Sequence, residues 1–536
     1  MTHSESDNQH HKKRRKKFIL ASTLGIGLPL AWLLWGIFGW PQAIQISKET
    51  TWLTEPVGDD GYVDYMSYLY DRHAELSDTS IADDEWRELI EAERGSGPLA
   101  GSGMEYIEPS VEFKKQLPDE LSEGERELRA REFTEETVLD LTRQLWEPDS
   151  HPILANNIKA NEKWFATVEA TFPSTSSLGA PGKATLPIEC GIAMIVLPGT
   201  EYSRTFSRRF LLRAAGRFGD GEVTAALDDV GFVYKIAQRD RCFIIEQSVG
   251  VGIEAEASRT LISGLLSSPQ LTDDHILQIS QLPQSNSSSQ LRTAVEFERV
   301  MTLDSLCRMH KSRSPGSFLF SFSSVAEPQK HLLERRFCKS VEWDDVLRHE
   351  NEFLDKVDAA IANEDWRAGH LQLEKLFAQM PMARAAESKI TKATLLDPAP
   401  RTGDVKLGLL KFHEWIPQAH TLSAEKLLRR RVVQIVARLC VWKRQHDRWP
   451  DDLSAISNLE QFPESPSVFS DPFSNNDLLY TRTTDGFELK SVGINGQADQ
   501  TGYLELKNRH ADPLIETAND DRIWRWPNIV SEDAEN

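Results

Sequence analysis

Side chains able to do acid–base chemistry gather in two stretches of this 536-residue chain, Glu246, Glu254 and Glu256 in one and Glu296 and Glu298 in the other. Glu246 and Glu254 are eight residues apart, close to two helical turns, so a helix would turn both to one side as an acid pair or a metal site requires. In a chain this rich in acids the same residues also read as solvated or salt-bridged faces, and no histidine stands at ligand spacing beside them. His349-Glu350 lacks the second histidine of a zinc-protease helix. Ser102, between Gly101 and Gly103, has neither the spacing nor the preceding apolar strand of a nucleophile elbow. Gly182-Lys183-Ala184-Thr185 departs from a phosphate loop, since Ala184 follows the lysine and Ser177 replaces the first glycine. Five cysteines, Cys190, Cys242, Cys307, Cys338 and Cys440, stand far apart with no CxxC. They read as buried thiols, or as one disulfide if the chain enters an oxidising compartment.

What would position these groups is set by composition. With 40% hydrophobic and 27% charged residues the chain is globular in character and long enough to bury several cores. Its net charge of −21 argues against nucleic acid as the main partner, which needs a concentrated cationic face. The largest basic cluster is Lys12-Lys13-Arg14-Arg15-Lys16-Lys17, and an uncharged apolar run from Phe18 to Trp40 follows it directly. As a helix those residues reach roughly 34 Å, enough to cross a hydrocarbon core of about 30 Å. The cations are expected to stay in the cytoplasm, which sends everything after Trp40 outside it. A cleaved signal peptide or a buried soluble helix are the alternatives, but Gly39-Trp40-Pro41-Gln42-Ala43 is a poor cleavage site. Residues 18–536 carry 55 Lys and Arg against 80 Asp and Glu, so the exported part is expected to stand off an anionic leaflet.

Beyond the anchor, residues 41–185 read as an acidic helix-rich region broken at Gly58–Gly61 and Gly95–Gly103, and residues 186–420 as a helical region. Val223, Leu227, Val230, Tyr234 and Ala237 recur on one helical face, and Gly219-Asp220-Gly221 separates them from a segment bearing Phe210, Leu211, Ala214 and Phe218. Two helices joined so tightly are antiparallel neighbours. Further helices are expected over Cys242–Leu266, after Thr272, and over Leu291–Arg308, Val341–Ala362, Trp366–Met380 and Thr421–Gln445. Gln281–Gln290 and Leu396–Gly403 read as connections. This helix-pair texture is tetratricopeptide-like, although no clean 34-residue period emerges.

The last hundred residues read differently. Leu428, Val432, Ile435, Leu439 and Trp442 make a helical stripe that ends before Pro450. Leu479–Thr483 and Phe487–Val492 flank Asp485-Gly486, a hairpin signal. The stripe, then Asp447-Arg448-Trp449-Pro450, Asp471-Pro472-Phe473, the hairpin and Ser491-Val492-Gly493-Ile494-Asn495-Gly496 resemble the globular domain of type II secretion pseudopilins over roughly residues 422–526. That resemblance implies a calcium loop, whose ligands by position are Asn495, Asp499, Asp520 and Asp521. Asn495 stands where the family has Asp, and Gln497 and Gln500 dilute the loop's charge. Nearly four hundred residues separate the anchor from the module, unlike in pseudopilins. Thr54–Tyr65 and His151-Pro152 to Ala160–Lys163, with the same C-terminal end, are also similar to an uncharacterised signal-anchored family of planctomycete-type bacteria, which implies location and architecture without an activity.

The expected fold is therefore mainly α: a basic tail (1–17), a transmembrane helix (18–40), helical regions (41–185 and 186–420) and a small α+β module with a β-hairpin (421–536). The expected function is a non-catalytic interaction or scaffold protein of the cell envelope. It holds the lipid bilayer through residues 18–40, docks an envelope protein partner, and needs no nucleic acid and no cofactor unless the module holds calcium. The alternative is an envelope hydrolase with an acidic site between helices at Glu246 and Glu254.

Overall fold

A computed structural model describes residues 42–76, 141–142, 145–171, 198–238, 243–268, 271–280, 282, 287–312, 335–378, 402–457, 459, 462, 468–495 and 522–526. The basic tail and the apolar run 18–40, the Gly95–Gly103 break with Ser102, the Lys183 loop, Cys190 and Cys242 lie outside these residues. Among those described, no helix is long and apolar enough to cross a membrane.

The protein is mostly helical with one small sheet. In chain order the helices are α1 (Tyr65–Leu76), α2 (Pro152–Ala160), α3 (Glu162–Thr171), α4 (Pro198–Gly219), α5 (Val223–Gln238), α6 (Ile244–Ser267), α7 (Asp273–Ser280), α8 (Ser287–Ser312), α9 (Trp343–Ile361), α10 (Trp366–Leu376), α11 (Thr402–Phe412) and α12 (Ile416–His446). A short 3-10 turn (Leu453–Ile456) precedes strands β1 (Leu479–Arg482), β2 (Phe487–Ser491) and β3 (Arg522–Trp526).

Apolar spacing accounts for most of these elements. Val223, Leu227, Val230, Tyr234 and Ala237 are all buried along α5, which packs against α4. The turn between the two closes on Gly221 at φ +82°, where the Gly221 and Glu222 amides donate back to the carbonyls of Phe218 and Arg217. This is a Schellman end, which favours glycine in the left-handed position. Thr272 caps α7 as its sequence suggests, its hydroxyl accepting from the His275 amide. Three expectations need correction, the first being that Leu396–Gly403 is a connection, since α11 begins at Thr402 and takes in Gly403. Gln281–Gln290 is not a connection throughout, because α8 begins at Ser287 and Gln290 Nε2 donates to the Gln238 carbonyl. Serine-rich polarity marks a helix start as readily as a loop, since serine satisfies a first turn's amides. α12 starts at Ile416, five residues before the expected Thr421, with Pro417 tolerated in its first turn.

The sheet is antiparallel in the order β1-β2-β3, with Leu479 opposite Lys490 and Leu489 opposite Trp524. A four-residue loop closes the hairpin, the Thr483 amide donating to the Gly486 carbonyl at 3.0 Å. β3 was not visible in the alternation and supplies buried Ile523 and Trp524. The sheet's Phe487, Leu489 and Trp524 share one continuous apolar core with α4–α7 and with Leu428, Val432, Ile435, Val436 and Leu439 of α12. A second core gathers α1, α8, α9 and α11 around Trp343, Leu303 and Val346.

α9 and α10 form a hairpin in which Asp365 caps α10 by accepting from the Ala368 amide. A Cβ on Gly369 would lie 2.3 Å from the Ala360 carbonyl oxygen, so only glycine allows this crossing. Gly252 on α6 has open space around it. Gly369→Ala should therefore lose about 1–3 kcal/mol in urea unfolding through overpacking. Gly252→Ala should gain up to about 1 kcal/mol from its better helix propensity.

Candidate functional site

The carboxylates singled out by sequence do not converge as a group, although Glu246 and Glu298 accept from the neighbouring amides of Phe243 and Ile244. Glu246 sits at the start of α6, where its Oε2 accepts from the Phe243 amide at 3.1 Å and so caps the helix. Glu254, two turns on, is 1% exposed and faces α12, bonded to Arg430 and lying 3.3 Å from Lys426 Nζ. Glu254 thus ties α6 to α12 through two cations of the facing helix. Glu256 lies 3.9 Å from Arg208 of α4. Glu296 of α8 accepts from the Tyr68 hydroxyl at 2.8 Å and from Arg72 Nε at 2.9 Å, both on α1. Glu298 is buried against the Ile244 amide at 3.3 Å, and burial raises its carboxyl above the usual range.

Of the calcium candidates, Asp499, Asp520 and Asp521 lie outside the described residues. Asn495 is exposed, and its carbonyl accepts from Arg367 Nη2 of α10 at 2.6 Å, which sets the protein's own cation on that oxygen. Among the described residues no group of three or more His, Cys, Asp or Glu has metal-ligand geometry. Cys307, Cys338 and Cys440 are free thiols, and burial pushes Cys307 and Cys440 up to about 12. A thiol so hard to ionise is a poor nucleophile.

Two clusters were not anticipated. In the first, His413, just beyond α11, meets Glu350 of α9 with Nε2 to Oε1 at 2.6 Å, both 1% exposed. Burial alone would lower the imidazole, but Glu350 beside it and Glu298 beyond outweigh burial and the opposing Arg299, so the ring is raised. The bond ties α9 to the turn between α11 and α12. His349, the sequence-adjacent histidine, takes no part in that bond.

The second cluster lies where the helical body meets the sheet module. The rings of Trp366 and His370 of α10 and His420 of α12 stack nearly parallel, with centroids 4.7 Å apart for Trp366–His370, 5.2 Å for Trp366–His420 and 5.8 Å for His370–His420. Trp366 Nε1 donates to the His420 carbonyl at 3.2 Å, and the edge of Phe473 meets Trp366 at 4.8 Å. Phe473 belongs to the Asp471-Pro472-Phe473 turn, which Asp471 staples to the end of β2. Its carboxylate accepts the Phe473 amide at 3.0 Å and the Val492 amide at 2.8 Å. Arg431 of α12 secures the same turn through the Ser470 carbonyl at 2.6 Å. Trp366 and His370 are one helical turn apart, the only sequence signal for this stack, and nothing in sequence joins them to His420 fifty residues on.

Burial, with His370 second, pushes His420 down to about 4 from its ordinary 6.5, and burial likewise lowers His370 against the pull of Glu374. What these groups do chemically is hold packing in place with a pH dependence of opposite sign. His413, raised in the folded state, contributes fully below pH 6.5 and loses that contribution as pH rises through its raised value. His420, depressed in the folded state, leaves stability intact above 6.5 and withdraws it as pH falls toward 4.

Unfolding free energy measured against pH should therefore fall on both sides of about pH 6.5. His420→Phe, which keeps a flat ring in the stack, should remove about 3 kcal/mol of the acid-side loss, leave the share due to His370 and spare the alkaline side. Glu254→Leu should cost about 3–5 kcal/mol by leaving Lys426 and Arg430 buried without their anion, read as a lowered denaturation midpoint. Compared with family models, curated proteins and solved structures, the chain matches none of them.

Proposed function

We propose that this chain is a single-pass, membrane-anchored scaffold of the cell envelope, non-catalytic, with residues 1–17 inside the cytoplasm and the bulk outside it. The observation that carries the scaffold role is the fate of its acids: Glu246, Glu254, Glu256, Glu296 and Glu298 each face a helix cap or a partner on a second element. Charged groups used this way brace helices against one another. The anchor rests on sequence, six cations followed by 23 uncharged residues through Trp40. The helix pairs, of which α4 and α5 are the tightest, support the tetratricopeptide-like reading of the body as a surface for a partner. The pseudopilin-like module is then a docking unit fixed to that body by the Trp366 stack. Large apolar side chains stand exposed at Ile245, Leu371 and Trp415, each about half accessible or more.

A phosphatase active only outside the cytoplasm, fused after Trp40, should be active, and a silent fusion would overturn the topology. A photo-crosslinking residue at Leu371 or Trp415 should yield discrete adducts in living cells. A smear indistinguishable from that at a charged position such as Glu488 would count against a docking surface.

A further inference from the structure

The segment that follows the apolar run is bound to the helical body from its second residue onward. The Gln42 carbonyl accepts from His310 Nε2 at 2.8 Å, and the other nitrogen of that buried ring meets the Tyr62 hydroxyl at 2.7 Å. The Gln45 amide donates to Asp344 Oδ1 at 2.9 Å. Asn351 Nδ2 donates to the carbonyls of both Glu49 and Thr50, and the Tyr65 hydroxyl to that of Thr51. Ile44, Ile46, Trp52 and Leu53 pack on the second core, with the Arg299 guanidinium 5.1 Å above the Trp52 ring. Residues 42–53 thus form a strap across α1, α8 and α9.

Its geometry has a consequence for the bilayer. Trp40 ends the apolar run, and two residues of chain reach at most about 7 Å, so no slack separates a membrane interface at Trp40 from His310. α8 and α9 run antiparallel, with Arg292 on Asp358 at one end and His310 against Trp343 at the other. The strap grips the latter end. We infer that this end, formed by Gln42, Gln45, Asp60, His310–Lys311 and Asp344, faces the lipid headgroups of the outer leaflet, with the far ends of α8 and α9 directed away from it.

The inference rests on the anchoring proposed above and deepens it by naming the face. A part so acidic keeps its distance from anionic lipid, so the face is assigned to zwitterionic headgroups. Three acids at this end are paired with cations, Asp60 with Lys311, Asp345 with Lys406 and Asp304 with Arg308, which reduces the negative charge it turns toward zwitterionic headgroups.

The test uses the full chain in nanodiscs of palmitoyl-oleoyl phosphatidylcholine containing acceptor-labelled headgroups. A donor dye is placed on an azide-bearing residue replacing either Asp59, beside the strap, or Glu364, beyond the far end of α9. Energy transfer should be roughly five-fold greater from 59 than from 364, given helix ends about 30 Å apart. A long Gly-Ser insertion between Pro41 and Gln42, which leaves the strap's own bonds intact, should erase the difference. Chain recovered in the discs with equal transfer from both positions overturns the inference alone. Chain recovered outside the discs overturns the anchoring and the inference together.

Discussion

A charge taken out of water between helices persists only if its counter-charge is buried with it, and this protein is organised around such pairs. Arg213 of α4 is 4% exposed and bonded to Asp229 of α5, with Glu162 and Glu169 of α3 completing its coordination and the Phe165 ring 3.9 Å beneath it. Glu254 joins α6 to α12 through Arg430, and Glu350 joins α9 to His413 after α11. Hydrophobic burial is non-directional and would accept several helix registers, whereas each of these pairs accepts one. Apolar contact supplies the driving force for packing, and the ion pairs select which packing it yields.

The two histidine clusters show how local surroundings turn one side chain into opposite devices. His413 has carboxylates beside it and its ring is raised, while His420 lies among aromatic faces and another imidazole and its ring is lowered. Both are nearly inaccessible to solvent, so burial alone does not decide the outcome. The sign of the neighbouring charge does.

Most helices were legible because their apolar residues recur at helical spacing, as along α5, α9 and the later part of α12. The hairpin was legible from its alternation around Asp485-Gly486. β3 was not, since Arg-Ile-Trp-Arg-Trp alone cannot distinguish a strand from a turn-flanking run until β2 is there to pair with it. The start of α8 was obscured because its first turn is polar. Spacing correctly placed Glu246 and Glu254 on one helix, yet sequence could not reveal that Glu246 would fold back on the Phe243 amide or that Arg430 would lie across from Glu254. Glu350 and His413, like His370 and His420, are joined across 50 residues or more, and single-sequence periodicity carries no information at that range.

α12 lends one stretch of its surface to the helical core and to the sheet module at once, so no residue within it marks where one ends and the other begins. Cutting the chain at such a helix would strip a wall from both halves, and grafting the C-terminal sheet onto another host would mean carrying α12 along. Mechanical load applied at the sheet would likewise pass through α12 into α6.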